Sequence, residues 1–211
     1  FFFSAWEIRG SFPKILNDPI RGKAAKELFE NAQLLLDEII DKKLLQANIA
    51  YGFWPANSVQ DDVVLYKNEE RLGELVRFNM LRQKKIKKGI TLSLSDFIAP
   101  TDSEIKDYIG AFAVTAGINA EELARKYEDN NDDYNSIMIK ALADRLAEAL
   151  AELMHQRVRK EWGFPDDEKI SNDDLIKEKY RGIRPAFGYP ACPNHEEKEK
   201  LFEILEAEKI G

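Results

Sequence analysis

NIAYGFWPAN at residues 48–57 and DDVVLYKNE at 61–69 decide the fold class. Both runs are short and rich in aromatic or β-branched side chains, with turn residues between them, the pattern of neighbouring strands. ELVRFNML (74–81) and GITLSLSDFI (89–98) look similar, joined by the basic and solvated RQKKIKKG (82–89). DYIGAFAVTAG (107–117) is a further strand, and its two glycines suggest a bend or a close backbone approach. Few helices interrupt this block, so the strands are expected to form a mainly antiparallel sheet.

Helices lie on both sides of it. Residues 17–43 place Ala25, Leu28, Phe29, Ala32, Leu35 and Leu36 near the 3.6-residue period. After the strands, Asn119 is placed to cap a helix with Glu121 and Glu122 in its first turn. DDYNSIMIKALADRLAEALAELMHQRVRKEWG (132–163) is the clearest helix, with Leu142, Leu146, Leu150 and Leu153 along one apolar stripe. Gly163 and Pro165 end it. Ser171 reads as the N-cap of NDDLIKEKY, and EEKEKLFEILEAEKIG (196–211) as a final amphipathic helix. The order helix, strands, helices predicts an α+β fold rather than alternating α/β.

The 211 residues suffice for a substantial core. A net charge of -7 argues against a nucleic-acid partner. No apolar run approaches the roughly 20 residues that span a bilayer, so no membrane association is expected. FFFSAWEIRG lacks the basic flank of a signal peptide, and the single cysteine gives no mark of secretion. The expectation is a cytoplasmic protein. A start of three phenylalanines without methionine suggests a piece of something longer.

RGIRPAFGYPACPNH (181–195) carries three prolines, two glycines, two arginines, the only cysteine and one of two histidines. Proline fixes φ and removes a donor, so this stretch is extended and stiff, with backbone groups that no helix consumes. Gly188 lets a ligand approach the chain, Arg184 offers a fork suited to a carboxylate, and Tyr189 an aromatic wall. Two readings stand: the lip of a pocket for a small ligand with an acid group and a flat ring, or a rigid crossover packed on the domain. Cys192 with His195 nearby invites a thiol-hydrolase reading, but nothing in the sequence lowers the thiol pKa, and lone cysteines are commonly buried apolar residues. Asp144, Glu148, Glu152 and His155 share one helix face. Glu152 and His155 have the spacing of a di-iron ligand pair, yet two histidines are too few for that site, so no metal centre is expected. The same face reads equally as solvated, or as meeting a partner or polar ligand. No P-loop and no Rossmann glycine turn is present.

RPAFGYPACPNH (184–195) resembles the Arg-x-x-x-Gly-Tyr signature of the activation domain of cobalamin-dependent methionine synthase (5-methyltetrahydrofolate–homocysteine methyltransferase). FFFSAWEIRGSFPKIL, GFWPAN, DFIAP, DYIGAFAVT, the 132–163 helix and YRGIRPAFGYPACP also look like family segments, in family order across the whole chain. The resemblance implies one C-shaped α+β domain over residues 1–211, with helices flanking a twisted antiparallel sheet. It implies a cytoplasmic methyltransferase of methionine biosynthesis, with this segment as its reactivation domain and inactive alone. That domain binds S-adenosyl-L-methionine and supports reductive methylation of cob(II)alamin. The cobalamin is held by a neighbouring domain of the same enzyme, an electron comes from flavodoxin or another reductase, and any zinc lies elsewhere in the parent enzyme. By that resemblance Arg184 pairs with the ligand carboxylate, Ala186 and Gly188 contact the ligand through their backbone, and Tyr189 lines the pocket. Glu148 matches an acidic position facing the ligand, and Asp144 and Glu148 face the corrin region. Phe187 stands where some relatives have proline. Relatives also carry an acid just upstream of the first phenylalanines and a closing segment beyond residue 211, so the chain is expected to be a fragment with an incomplete pocket. A module that docks a cobalamin domain or flavodoxin without binding S-adenosylmethionine is the alternative.

Overall fold

The computed structural model describes residues 2–83, 91–166 and 170–210. Five helices and four strands follow in the expected α+β order. The helices are α1 (Gly22–Lys42), α2 (Ala120–Asp129), α3 (Asp133–Glu161), α4 (Asn172–Ile176) and α5 (Glu197–Leu205). The strands are β1 (Gln46–Val59), β2 (Asp62–Tyr66), β3 (Glu74–Asn79) and β4 (Asp107–Ile118), in the spatial order β3-β2-β1-β4. The chain divides into two compact units. One is Phe1–Asn48 with Val114–Leu153; the other is Ile49–Ala113 with Met154–Gly211.

The first unit is mostly helical. α1 starts later than the periodicity predicted, because Asp18 precedes Pro19 and is held extended at ψ 130°. The Asp18 carboxylate accepts hydrogen bonds from the Ile20 and Arg21 N–H groups, which holds it below the usual carboxylate range and supplies a cap that Arg21 cannot. The helix ends on Lys43 in the left-handed region, its N–H returned to the Ile39 and Ile40 carbonyls. Ala25, Leu28, Ala32, Leu35 and Ile39 form its buried stripe and pack in one core with Ala120, Ala124, Met138, Ile139, Leu142 and Ala143. Asn119 occupies the N-cap position of α2, but with φ +74° and no side-chain cap bond. Its role there is to tolerate the left-handed turn, not to cap. Asp132 caps α3 instead, its Oδ1 accepting from the Asn135 N–H at 3.0 Å. The leucine stripe of α3 leaves the core as it advances. Leu142 is buried, whereas Leu146, Leu150 and Leu153 line an open apolar groove of about 660 Å³, with Leu153 61% exposed.

The second unit is built on the sheet. β1 and β2 form an antiparallel hairpin from Ala56↔Leu65 to Val59↔Asp62, turning on Gln60 at φ +56°. Pro55 precedes the first of these pairs, so its missing N–H removes none of them. β3 pairs antiparallel with β2, from Asp62↔Asn79 to Tyr66↔Glu74, with a bulge at Leu65/Tyr66. Val63, Leu65, Phe78 and Met80 point into a core with Ala56, Ile98 and Cys192. α5 docks on β3 through polar contacts: the buried Glu197 accepts from the Asn79 N–H, and Lys200 donates both to Glu197 and to the Arg77 carbonyl.

One expected strand is not a strand. Most of the basic connector and residues 89 and 90 lie outside the described residues, but Leu94–Phe97 form a 3-10 turn. Alternating Thr, Leu and Ser gives a two-residue period, yet serine hydroxyls offer the backbone other partners. The Ser93 Oγ accepts from the Ser95 N–H, the Ser93 N–H donates to Asp96, and the Ser93 hydroxyl donates to the Met80 carbonyl at 2.7 Å. Arg82 clamps the same turn by donating to both Asp96 carboxylate oxygens. Ser171 caps α4 with a capping box as expected, but that helix ends at Ile176, well short of residue 180. No described helix is long and apolar enough to cross a membrane.

Candidate functional site

The lip at 181–195 belongs wholly to the second unit, and its residues alternate in environment. Phe187 and Cys192 point inward. The Phe187 ring stacks against Phe78 at 6.0 Å, and Cys192 is 3% exposed in the same core. Ala186, Gly188 and Tyr189 face outward, Tyr189 at 63% exposure, and Arg184 is half-buried. Inward aromatic and thiol anchors therefore present, on the other side, Ala186, Gly188 and Tyr189.

The turn Tyr189-Pro190-Ala191-Cys192 closes the lip, with the Cys192 N–H donating to the Tyr189 carbonyl at 3.0 Å. The expectation that these backbone groups stand free is corrected here. The Gly188 N–H donates to the Cys192 carbonyl, and the Ala186 carbonyl accepts from both the Tyr189 N–H and Cys192 Sγ. Any backbone contact with a ligand at Ala186 or Gly188 uses their other groups. The lip is tied to the 3-10 turn by the Leu94 N–H, which donates to the Ala191 carbonyl at 2.8 Å. Gly188 is required twice: its φ is +99°, and a Cβ there would sit 2.2 Å from Cε1 of His195. The His195 ring thus lies directly on the Gly188 backbone.

Burial pushes the Cys192 thiol up, away from the thiolate that a nucleophile needs. Its Sγ contact is the Ala186 carbonyl, so it packs and staples the lip.

Asp144 and Glu148 lie one turn apart on α3 in the first unit, both exposed. Glu152 is half-buried further along the same helix. His155 and Arg159, beyond it, belong to the second unit and are buried. Among the described residues no group of three or more His, Cys, Asp and Glu side chains is gathered as a metal site would require.

A cluster that the sequence reading missed surrounds His155. Arg159 and Asp166 form a two-pronged ion pair at 2.9 and 2.6 Å, with side chains 7% and 6% exposed. The Arg159 guanidinium lies over the Tyr180 ring, 4.2 Å from its centroid. His155 packs perpendicular to Tyr180 with ring centroids 4.7 Å apart. Arg159 holds the Asp166 carboxyl below the usual carboxylate range. Burial, reinforced by the charges of Arg159 and Arg184, pushes the His155 imidazole down to about 4, so it is neutral at physiological pH. Arg184 is therefore within electrostatic reach of this cluster. Its sequence signal was the i,i+4 pair His155/Arg159, with Tyr180 opening the lip segment.

A family model described as vitamin B12 dependent methionine synthase, activation domain, matches residues 1–211. A crystal structure of the MetH reactivation domain bound to AdoHcy superposes with a TM-score of 0.91 at 48% sequence identity, covering 97% of this chain. The chain spans 64% of the length of that solved domain.

Proposed function

This chain belongs to the activation domains of vitamin B12-dependent methionine synthase, and from that premise we propose that its lip binds S-adenosylmethionine to reactivate the enzyme's cobalamin. The observation that carries the reading is the likeness to a reactivation domain crystallised with AdoHcy, the demethylated form of that ligand, together with a lip that carries the half-buried Arg184 and the exposed Ala186, Gly188 and Tyr189.

S-adenosylmethionine would supply the methyl group, and cobalamin on a neighbouring domain would accept it together with one electron from a reductase. This chain's residues bind and orient. The Arg184 guanidinium, half-buried and always charged, offers a planar fork to the ligand's carboxylate. Tyr189 supplies an exposed aromatic face for the flat ring. Phe187 and Cys192 hold the turn rigid, so little order is lost on binding. Asp144 and Glu148 present exposed carboxylates able to accept hydrogen bonds from amide groups such as those rimming a corrin. The methyl-transfer cycle belongs to the whole cytoplasmic enzyme of methionine biosynthesis. Its cobalamin-binding domain and flavodoxin or another reductase are the partners.

Calorimetric titration of S-adenosylmethionine into the wild type and Arg184→Lys tests this. Replacing the fork by a point charge should weaken binding by about tenfold or more, since charge-assisted bonds of this kind contribute roughly 1.5–3 kcal/mol. Equal affinity would remove Arg184 from the site. No binding by the full-length protein would leave a docking module that does not bind S-adenosylmethionine.

A further inference from the structure

Tyr180 stands four residues before Arg184, and the segment between is short and shaped. Gly182, at φ +92°, turns the chain. Pro185 follows Arg184 directly and restricts it to extended backbone. Arg184 is thus fixed on its C-terminal side by proline and by the turn anchored through Phe187 and Cys192. On its N-terminal side the anchor is Tyr180. That ring carries the Arg159 guanidinium on its face, and Asp166 locks the guanidinium through two hydrogen bonds. His155, 7% exposed, packs perpendicular to the ring, and its Nδ1 is buried with no hydrogen-bond partner among the described residues. A buried polar network of this sort is a poor source of stability but a good source of defined geometry. An ordinary apolar anchor would hold the segment without a clamped guanidinium on one side of the ring and a neutral imidazole at its edge.

We propose that Tyr180, held by Arg159, Asp166 and His155, is a positioning residue that fixes the start of the lip and so aims the Arg184 guanidinium at the ligand's carboxylate. The inference rests on the reading of Arg184 as the carboxylate partner. It assigns to Tyr180 an aromatic-face role, not a hydroxyl one.

The test is titration of S-adenosylhomocysteine into the full-length protein carrying Tyr180→Leu, Tyr180→Phe, Arg159→Lys or Arg184→Lys, each checked by thermal melting. Tyr180→Phe keeps the face and should stay within about twofold of wild type, whereas Tyr180→Leu should weaken binding about tenfold or more. Arg159→Lys retains the charge but loses the planar stack, so it should weaken binding several-fold, and it serves if Tyr180→Leu does not fold. A folded Tyr180→Leu or Arg159→Lys protein with unchanged affinity, beside a weakened Arg184→Lys, overturns the positioning role and leaves the lip reading intact. Equal weakening by Tyr180→Phe and Tyr180→Leu also overturns it, since the hydroxyl would then be responsible. Unchanged affinity in Arg184→Lys removes the lip reading, and this inference with it.

Discussion

Two arginines of the second unit sit among tyrosines and solve the same problem differently. Arg71 lies near the rings of Tyr66 and Tyr108, at 5.3 and 5.6 Å, and donates to the Ala56 and Asp107 carbonyls and to Asn57 Oδ1. Asn57 in turn donates to the Ala99 and Ile105 carbonyls, so this knot pins the 99–107 loop to β1 with neutral acceptors. Arg159 lies on Tyr180 and is held by the carboxylate of Asp166 beside a neutral histidine. A cation on neutral acceptors is fixed at any ordinary pH. A cation on a carboxylate, next to an imidazole, has a setting that protons can change. The first arrangement closes a loop, and the second holds the residue that stands four positions before Arg184, the proposed carboxylate partner.

The largest effect that would sharpen the contrast is expected from Asp166→Ala. Removing the carboxylate strands a buried guanidinium, which typically costs about 3–5 kcal/mol. Urea denaturation should show that loss; a change under 1 kcal/mol, on the order of a surface pair, would mean Arg159 finds water or another acceptor. Next is the pH dependence. His155 is depressed from 6.5 to about 4, so the unfolded chain binds the extra proton between those values. Stability is complete above 6.5, falls as pH drops through the window, and by its lower end has lost about 3 kcal/mol from this group. Comparing wild type with His155→Gln across that range isolates the effect: the variant's pH slope should be shallower, and parallel curves would refute it. The Arg71 knot should be indifferent to pH there but sensitive to Asn57→Ala, which takes an acceptor from Arg71 and the side-chain donor from the Ala99 and Ile105 carbonyls, at a cost of about 2 kcal/mol. The smallest effect is Cys192→Ser. The hydroxyl can keep the bond to Ala186, so only burial of a more polar atom is lost, about 1 kcal/mol, with ligand affinity unchanged. Slow iodoacetamide labelling of the native wild type, and fast labelling once unfolded, would confirm the packed thiol.

The two regions were unequally legible. Arg184, Gly188 and Tyr189 stand out in sequence because proline and glycine mark a segment unable to be helix or strand, and the structure does turn that segment outward. What it does with its backbone was not legible. Ala186 and Gly188 spend their carbonyl and N–H on the turn itself, a pairing set by where Cys192 inserts into the core. Arg71 gave no signal at all, since its role depends on carbonyls up to 36 residues away.

Local patterning determined the α+β order, the hairpin of β1 and β2, the long α3 and the Ser171 cap, because period, turn residues and capping are properties of neighbours in sequence. The same local rule misread residues 91–98 as a strand, since alternation is shared by strands and by serine-rich turns, and only the Met80 carbonyl and Arg82 decided between them. The outward slide of the α3 leucines was likewise settled by what the rest of the chain left uncovered. The Arg159–Asp166–Tyr180–His155 cluster required tertiary structure for a simple reason. Its members are spread from residue 155 to 180, and a buried charge is tolerable only where folding brings its counter-charge to it.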